Sequence, residues 1–305
     1  MKRMFIISLI SSLLFLSACT QNSSTLGANN KFTIQDTLQQ VDKETAEVII
    51  LLGQSNASGA ANTQCFATKY PDFYSSINTS INNVLINYYV NNVVGGKENS
   101  SEGAFVSVQF GQGDNSNYFG PEIGIAYSLN NKSTNVFILK YTWSGSVMDT
   151  QWMNTKYKRG ELYKAALSFI SSSMKYLSQK GYNARITAVC WMQGESDSLY
   201  EDQALKYFKN TQMFVKYLRK DLSKYDSKDF LFIDSGISNV SYWKYYKTIN
   251  SAKEKYAQEK ENCVYFSTIE LGLKTTEEPL DDPDIAHYDS LSMFVLGQKY
   301  ASFLV

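Results

Sequence analysis

Five short apolar runs set the limits on what this chain can fold into: "EVIILL" (47–52), "VFILKY" (136–141), "ITAVCWM" (186–192), "FLFID" (230–234) and "VYFST" (264–268). Each is nearly continuous rather than alternating and is rich in β-branched and aromatic residues, the pattern of strands buried on both faces of a parallel sheet. Long segments with helical spacing separate them. "ELYKAALSFISSSMKYLSQKG" stops at Gly181, and "SLYEDQALKYFKNTQMFVKYLRKDLS" opens on Ser198 and Glu201 in the spacing of a capping box. "YWKYYKTINSAKEKYAQEKEN" follows, and "SMFVLGQKYASFLV" closes the chain. This alternation predicts an α/β fold, a three-layer α/β/α sandwich around a mostly parallel central sheet. Such folds collect their chemistry at the carboxyl ends of the strands. "VLINYYV" and "AFVSVQF" read as strands of an insertion or a peripheral hairpin among Asn-, Gly- and Ser-rich loops.

The chain starts with Lys2 and Arg3, an apolar stretch from Met4 to Leu16, and small residues up to Cys19. That stretch is shorter than the roughly 20 residues a spanning helix needs and reads as an export signal. "LSAC", Leu16 to Cys19, resembles a bacterial lipobox, which makes Cys19 the lipidated first residue of the mature protein. The expected organisation is a lipoprotein signal over 1–19, a polar tether over 20–45 and one domain over 46–305. The expected location is the bacterial cell envelope, periplasmic or surface-facing, with membrane contact through the lipid alone. Cys65, Cys190 and Cys263 are an odd, widely spaced set that fits no disulfide framework, and Cys190 sits in an apolar run as a core residue. One histidine and no CxxC pair argue against a zinc site, and no metal or organic cofactor is expected. With 29 basic and 29 acidic residues, nothing in the charge suggests a nucleic-acid partner.

Four segments fall at predicted strand or helix ends. Ser55 follows the first strand in "GQSN", "FGPEIG" (119–124) opens a helix, "WMQGESD" (191–197) ends a strand, and "DPDIAHYD" (282–289) precedes the last helix. A serine after a strand commonly caps a helix. As a nucleophile it needs a base held by a carboxylate, and His287 with Asp284 three residues before it supplies both. The oxyanion formed by attack needs preset donors. Ser55 offers its own N–H, Gly120 allows close approach, and Gln193 offers an amide. Each has a plainer reading: Gly120-Pro121 as a helix start, and Gln193 as a buried amide at a strand end. Glu195 orients a histidine, binds a substrate hydroxyl or bonds to the Ser55 loop. Asp197 reads as a helix-start residue. Trp143, Trp152 and Tyr118, in predicted loops near the strand ends, are candidates for stacking on a ligand ring, against the commoner fate of core packing.

The blocks "GQSN", "GPEIG", "WMQGESD" and "DIAH", with "KYTWSGS" (140–146) between them, resemble those of the SGNH or GDSL-like hydrolases, in particular the sialic-acid-specific acetylesterase family of carbohydrate esterases. The resemblance implies Ser55 as nucleophile, His287 as base, Asp284 as its orienter, and Ser55, Gly120 and Gln193 as oxyanion donors. Gln54, Asn56, Glu195 and Trp143 would support the site or touch substrate. It also implies a serine esterase that removes O-acetyl groups from carbohydrate, sialic acid or another acetylated glycan, through an acetyl-enzyme. Ala57 stands where the family often carries methionine, and it breaks any G-x-S-x-G elbow. Two other functions compete: a carbohydrate-binding lipoprotein that has lost turnover, and a lipase or thioesterase, for which the polar loops from Asn91 to Asn117 offer no apolar groove.

Overall fold

The computed structural model describes residues 32–81, 83–92, 97–225, 229–279 and 283–305. The expected signal segment with Cys19, and the expected tether up to residue 31, lie outside the described residues. In chain order the elements are β1 (Glu44–Gly53), α1 (Ser55–Ser58), β2 (Ala61–Asn62), α2 (Thr63–Lys69), α3 (Pro71–Ser80), β3 (Val84–Asn92), β4 (Lys97–Ser100), β5 (Val106–Ser107), β6 (Tyr118–Phe119), α4 (Glu122–Leu129), β7 (Asn135–Trp143), α5 (Glu161–Gln179), β8 (Tyr182–Met192), α6 (Glu201–Leu222), β9 (Leu231–Ser235), α7 (Tyr246–Glu259), β10 (Cys263–Phe266) and α8 (Ser290–Ala301). A π-helical turn covers Met148–Trp152 and a 3₁₀ turn Asp197–Leu199.

Among the described residues the main sheet has eight strands, in the order β10-β9-β8-β1-β7-β3-β4, with β5 also on β3. β10, β9, β8, β1, β7 and β3 run parallel, and only β4 and β5 run against β3. Helices flank the sheet, α4 packing with α8 and α6 with α7. The six residues Val48 to Gly53 are buried without a break, which is why the first run does not alternate. β1 lies between β7 and β8, so the chain reverses its direction of sheet growth around it, and a crevice forms where their carboxyl ends diverge.

All five apolar runs become strands of this sheet. The run "VLINYYV" also does, as β3, pairing in parallel with β7 from Val84↔Val136 to Asn91↔Trp143. It belongs to the main sheet and not to a peripheral hairpin; of "AFVSVQF" only Val106 and Ser107 pair, antiparallel on β3. The capping box is not made. The Ser198 hydroxyl donates to the Glu195 carbonyl at 2.6 Å, and α6 starts later, with Tyr200 as its N-cap.

Part of the stretch read as tether packs on the domain. Phe32 meets Tyr89, Tyr141 and Phe169 edge-on at 5.3–6.0 Å, and Leu38 is buried. The Thr37 and Leu38 amides both donate to the Tyr176 hydroxyl at 2.9 Å, and Lys180 pairs with Asp36. The polar composition that suggested a tether conceals two apolar anchors, Phe32 and Leu38, spaced too irregularly to read as an element.

Candidate active site

Gly53 ends β1 at φ +145°, and a Cβ there would lie 1.9 Å from the Met192 carbonyl oxygen, so only glycine lets β1 leave the sheet beside β8. One residue later the chain enters α1, a single helical turn whose N-cap is Gln54 with no side-chain cap bond. Ser55 is therefore the first helical residue and not the cap. Its hydroxyl makes no hydrogen bond, and its N–H finds no acceptor, among the described residues.

The His287 Nδ1 lies 2.7 Å from the Asp284 Oδ2, with the histidine side chain 18% exposed. Asp284 sits in a tight turn, its Oδ1 accepting from the Ala286 amide at 3.1 Å. Burial alone would raise the Asp284 carboxyl, but the imidazole beside it holds it below the usual value. Burial is also the largest influence on His287, pulling it down, yet the hydrogen bond and charge of Asp284, with the charges of Asp114 and Glu195, hold it above 6.5.

Asn56 ties the two halves together. Its Nδ2 donates to the Glu195 Oε1 at 2.8 Å and lies 3.4 Å from the Ala286 carbonyl, and its Oδ1 accepts from the Tyr288 amide at 3.1 Å. Neighbours of Ser55 and of His287 are thus bonded to each other, which brings serine and imidazole to the same crevice, though no hydrogen bond joins them. Glu195 is buried, and its Oε2 has no partner among the described residues. Of the readings open to Glu195, the geometry places it on the Ser55 loop. We expect Asn56→Ala to cost about 2–3 kcal/mol, because it strips the last side-chain donor from a buried carboxylate and the acceptor from the Tyr288 amide. Thermal melting and kcat should fall together; an unchanged melt would show that the clamp carries no load.

The expected oxyanion donors fare differently. The Gly120 N–H donates to the Glu122 Oε1 at 2.7 Å, and a Cβ at Gly120 would meet the Gly59 Cα at 3.0 Å and the Ser58 carbonyl at 3.1 Å. Gly120 is needed for close packing against the α1 turn, and its amide is spent. The Gln193 amide nitrogen faces three acceptors, Asp197 Oδ2 at 2.6 Å, the Ser146 carbonyl at 3.0 Å and Gln54 Oε1 at 3.2 Å, and its oxygen accepts from the Tyr207 hydroxyl at 2.9 Å. It holds strand ends together, the plainer of the two readings. Gln54 serves the same network, accepting also from the Gly194 and Ser196 amides at 3.3 Å each. Asp197, buried and pushed up to about 7 by that burial, accepts from the Met148 amide at 2.8 Å and so fixes the turn after β7.

That turn, within "KYTWSGS", holds a further backbone donor. Gly53 on β1 pairs with Thr142 on β7, so the segment Trp143 to Ser146 leaves the sheet beside α1, and Ser144 Oγ lies 3.2 Å from Ser58 Oγ. Gly145 is exposed there and its N–H has no acceptor among the described residues. Its trace in the sequence is a glycine two residues past a strand, in "TWSGS". Trp143 is half-buried at the end of β7. Trp152 is fully buried, bonded through Nε1 to Ser146 and packed edge-on against Trp191, so it is core and no sugar platform.

Residues 45–305 match the profile of a family described as carbohydrate esterase, sialic acid-specific acetylesterase. Solved structures of similar fold include a protein of Arabidopsis thaliana, at 20% identity and TM-score 0.58 over 84% of this chain and 96% of that one. NanS aligns at 16% identity and TM-score 0.58 over 87% of this chain and 98% of its own. A carbohydrate acetylesterase from Xanthomonas citri aligns at 13% identity and TM-score 0.53 over 83% of this chain and 54% of that one. No curated protein is significantly similar in sequence.

Proposed function

Because the chain belongs to the sialic acid-specific acetylesterase family of carbohydrate esterases, we propose that it hydrolyses O-acetyl esters of sugars through an acetyl-enzyme on Ser55. The observation that carries this is the His287 and Asp284 pair, tied by Asn56 to the loop that presents an unengaged serine hydroxyl. In the forward step His287 Nε2 takes the Ser55 proton as Oγ attacks the acetyl carbonyl, then returns it to the departing sugar oxygen. Water repeats the sequence on the acetyl-enzyme. Asp284 accepts from Nδ1–H, fixing the tautomer and steadying the imidazolium. The free N–H groups of Ser55 and Gly145 are our candidates for the oxyanion site, in place of Gly120 and Gln193.

The test is acetate release by the purified domain from acetylated monosaccharides and polymers. A folded protein that releases none would favour the alternative of a sugar-binding lipoprotein. The base must be neutral to act, so kcat/KM should fall as pH drops through a His287 pKa held above 6.5. Asp284→Asn removes two of the influences that raise it, so the acidic limb should move down. An unmoved limb would mean that another group titrates.

Export and lipid anchoring at Cys19 complete the proposal. Cys19→Ser should move the protein from the membrane to the soluble fraction and stop incorporation of labelled palmitate; persistent labelling would remove the lipobox.

A further inference from the structure

Resting on the esterase reading, we propose that the site takes acetyl esters of neutral sugars rather than of sialic acid, and that Asp114 accepts a hydrogen bond from a hydroxyl of that sugar. Asp114 lies in the loop between β5 and β6. Its amide donates to the Gly59 carbonyl at 2.9 Å and its Oδ1 accepts from the Ser144 hydroxyl at 3.1 Å, so it stands where α1 and the Gly145 turn meet. The Asn99 amide fixes the loop, donating to the Gly111 and Gly113 carbonyls at 3.0 and 2.8 Å. Asp114 and His287 are near enough for each to feel the other's charge. Its Oδ2 has no partner among the described residues, leaving one acceptor free in a rigid setting. Burial pushes Asp114 up to about 6, so near neutral pH it is chiefly ionised, the form that accepts best from a sugar hydroxyl.

The charges around it oppose a carboxylate-bearing substrate. A cavity of about 120 Å³ adjoins His287 and Asp284 and is lined as well by Asn62, Tyr118, Glu278 and Asp289. No lysine or arginine is among its described lining residues. The cations nearby are already paired: Lys69 with Glu278 at 2.9 Å at its edge, Lys140 with Glu122 at 2.7 Å beneath Asp114, and Lys253 with Asp234 behind Glu195. A sugar acid would bring its charge toward Asp114, Asp284 and Asp289 with no free counter-ion among the described residues, and like-charge juxtaposition of this kind is what excludes wrong ligands.

The experiment compares kcat/KM of the purified protein for four esters: p-nitrophenyl acetate, a mono-O-acetylated methyl xyloside, an O-acetylated sialic acid and the carboxyl methyl ester of that sialic acid. We expect the xyloside to exceed the free sialic acid by about tenfold or more, and the methyl ester to recover much of the gap. Asp114→Asn should lower the ratio of xyloside to p-nitrophenyl acetate by about tenfold to a hundredfold, chiefly through KM, and narrow the preference against free sialic acid. A free sialic acid turned over as well as its methyl ester would overturn the proposal on the wild-type protein alone. An unchanged ratio in folded Asp114→Asn would remove Asp114 from recognition and overturn it too. If folded protein cleaves none of the four, p-nitrophenyl acetate included, the esterase reading itself falls and this proposal with it.

Discussion

Replacing Ser55 by alanine is expected to lower acetate release by on the order of 10⁴-fold or more while leaving the melting temperature unchanged. Two readings of this serine part at that point. As a helix cap its hydroxyl would hold a backbone amide, and its loss would cost about 0.5–2 kcal/mol. Gln54 occupies the N-cap, however, and the Ser55 hydroxyl bonds to nothing described, so a half-buried side chain contributes little to folding. A half-buried group whose removal stops turnover without touching stability is one kept for chemistry. Measuring both quantities on one preparation decides the matter: full activity in Ser55→Ala would end the acetyl-enzyme mechanism. A lowered melt with partial activity would return the residue to a structural role.

What the sequence disclosed follows from how local each signal is. The runs at 47–52, 136–141 and 186–192 gave β1, β7 and β8 because continuous apolarity reports burial on both faces, a property of the strand itself. "VLINYYV" reads as a strand, but nothing local says that it pairs with β7 and not with a neighbour in sequence. The Asp284 and His287 pair is three residues apart, and that proximity survives folding unchanged. Gly120 and Gln193 are different. Their residue types suit an oxyanion site, yet which acceptor an amide faces is set by Glu122, Asp197 and Gln54, and for Gln193 one of these lies far along the chain. Asp114 and the Asn56 clamp are invisible for the same reason: the partners lie about 30, 139 and 232 residues away, and a loop such as "FGQGDNSN" carries no periodicity to betray them.

Lys140 makes the second large prediction, and it concerns stability. The side chains of Lys140 and Glu122 are both fully buried and meet at 2.7 Å, the ammonium also donating to the Gln112 carbonyl at 2.7 Å. Burial, the largest influence, pulls the Lys140 ammonium below its usual value, and the Glu122 carboxylate opposes it. A pair in such a setting contributes little net stability, but breaking it strands a charge where water cannot reach. Lys140→Met should therefore cost about 3–5 kcal/mol, a fall in Tm of roughly 6–20 °C for a domain of this size. Adding Glu122→Gln removes the stranded charge while its amide oxygen still accepts from the Gly120 N–H, so the double variant should regain much of the loss. Because Glu122 holds Gly120 against Ser58 and Gly59, the single variant should also loosen the turn that carries Ser55, and kcat should drop with Tm. A double variant no more stable than Lys140→Met would show that the lysine acts by its packing and its bond to Gln112, not by neutralising Glu122.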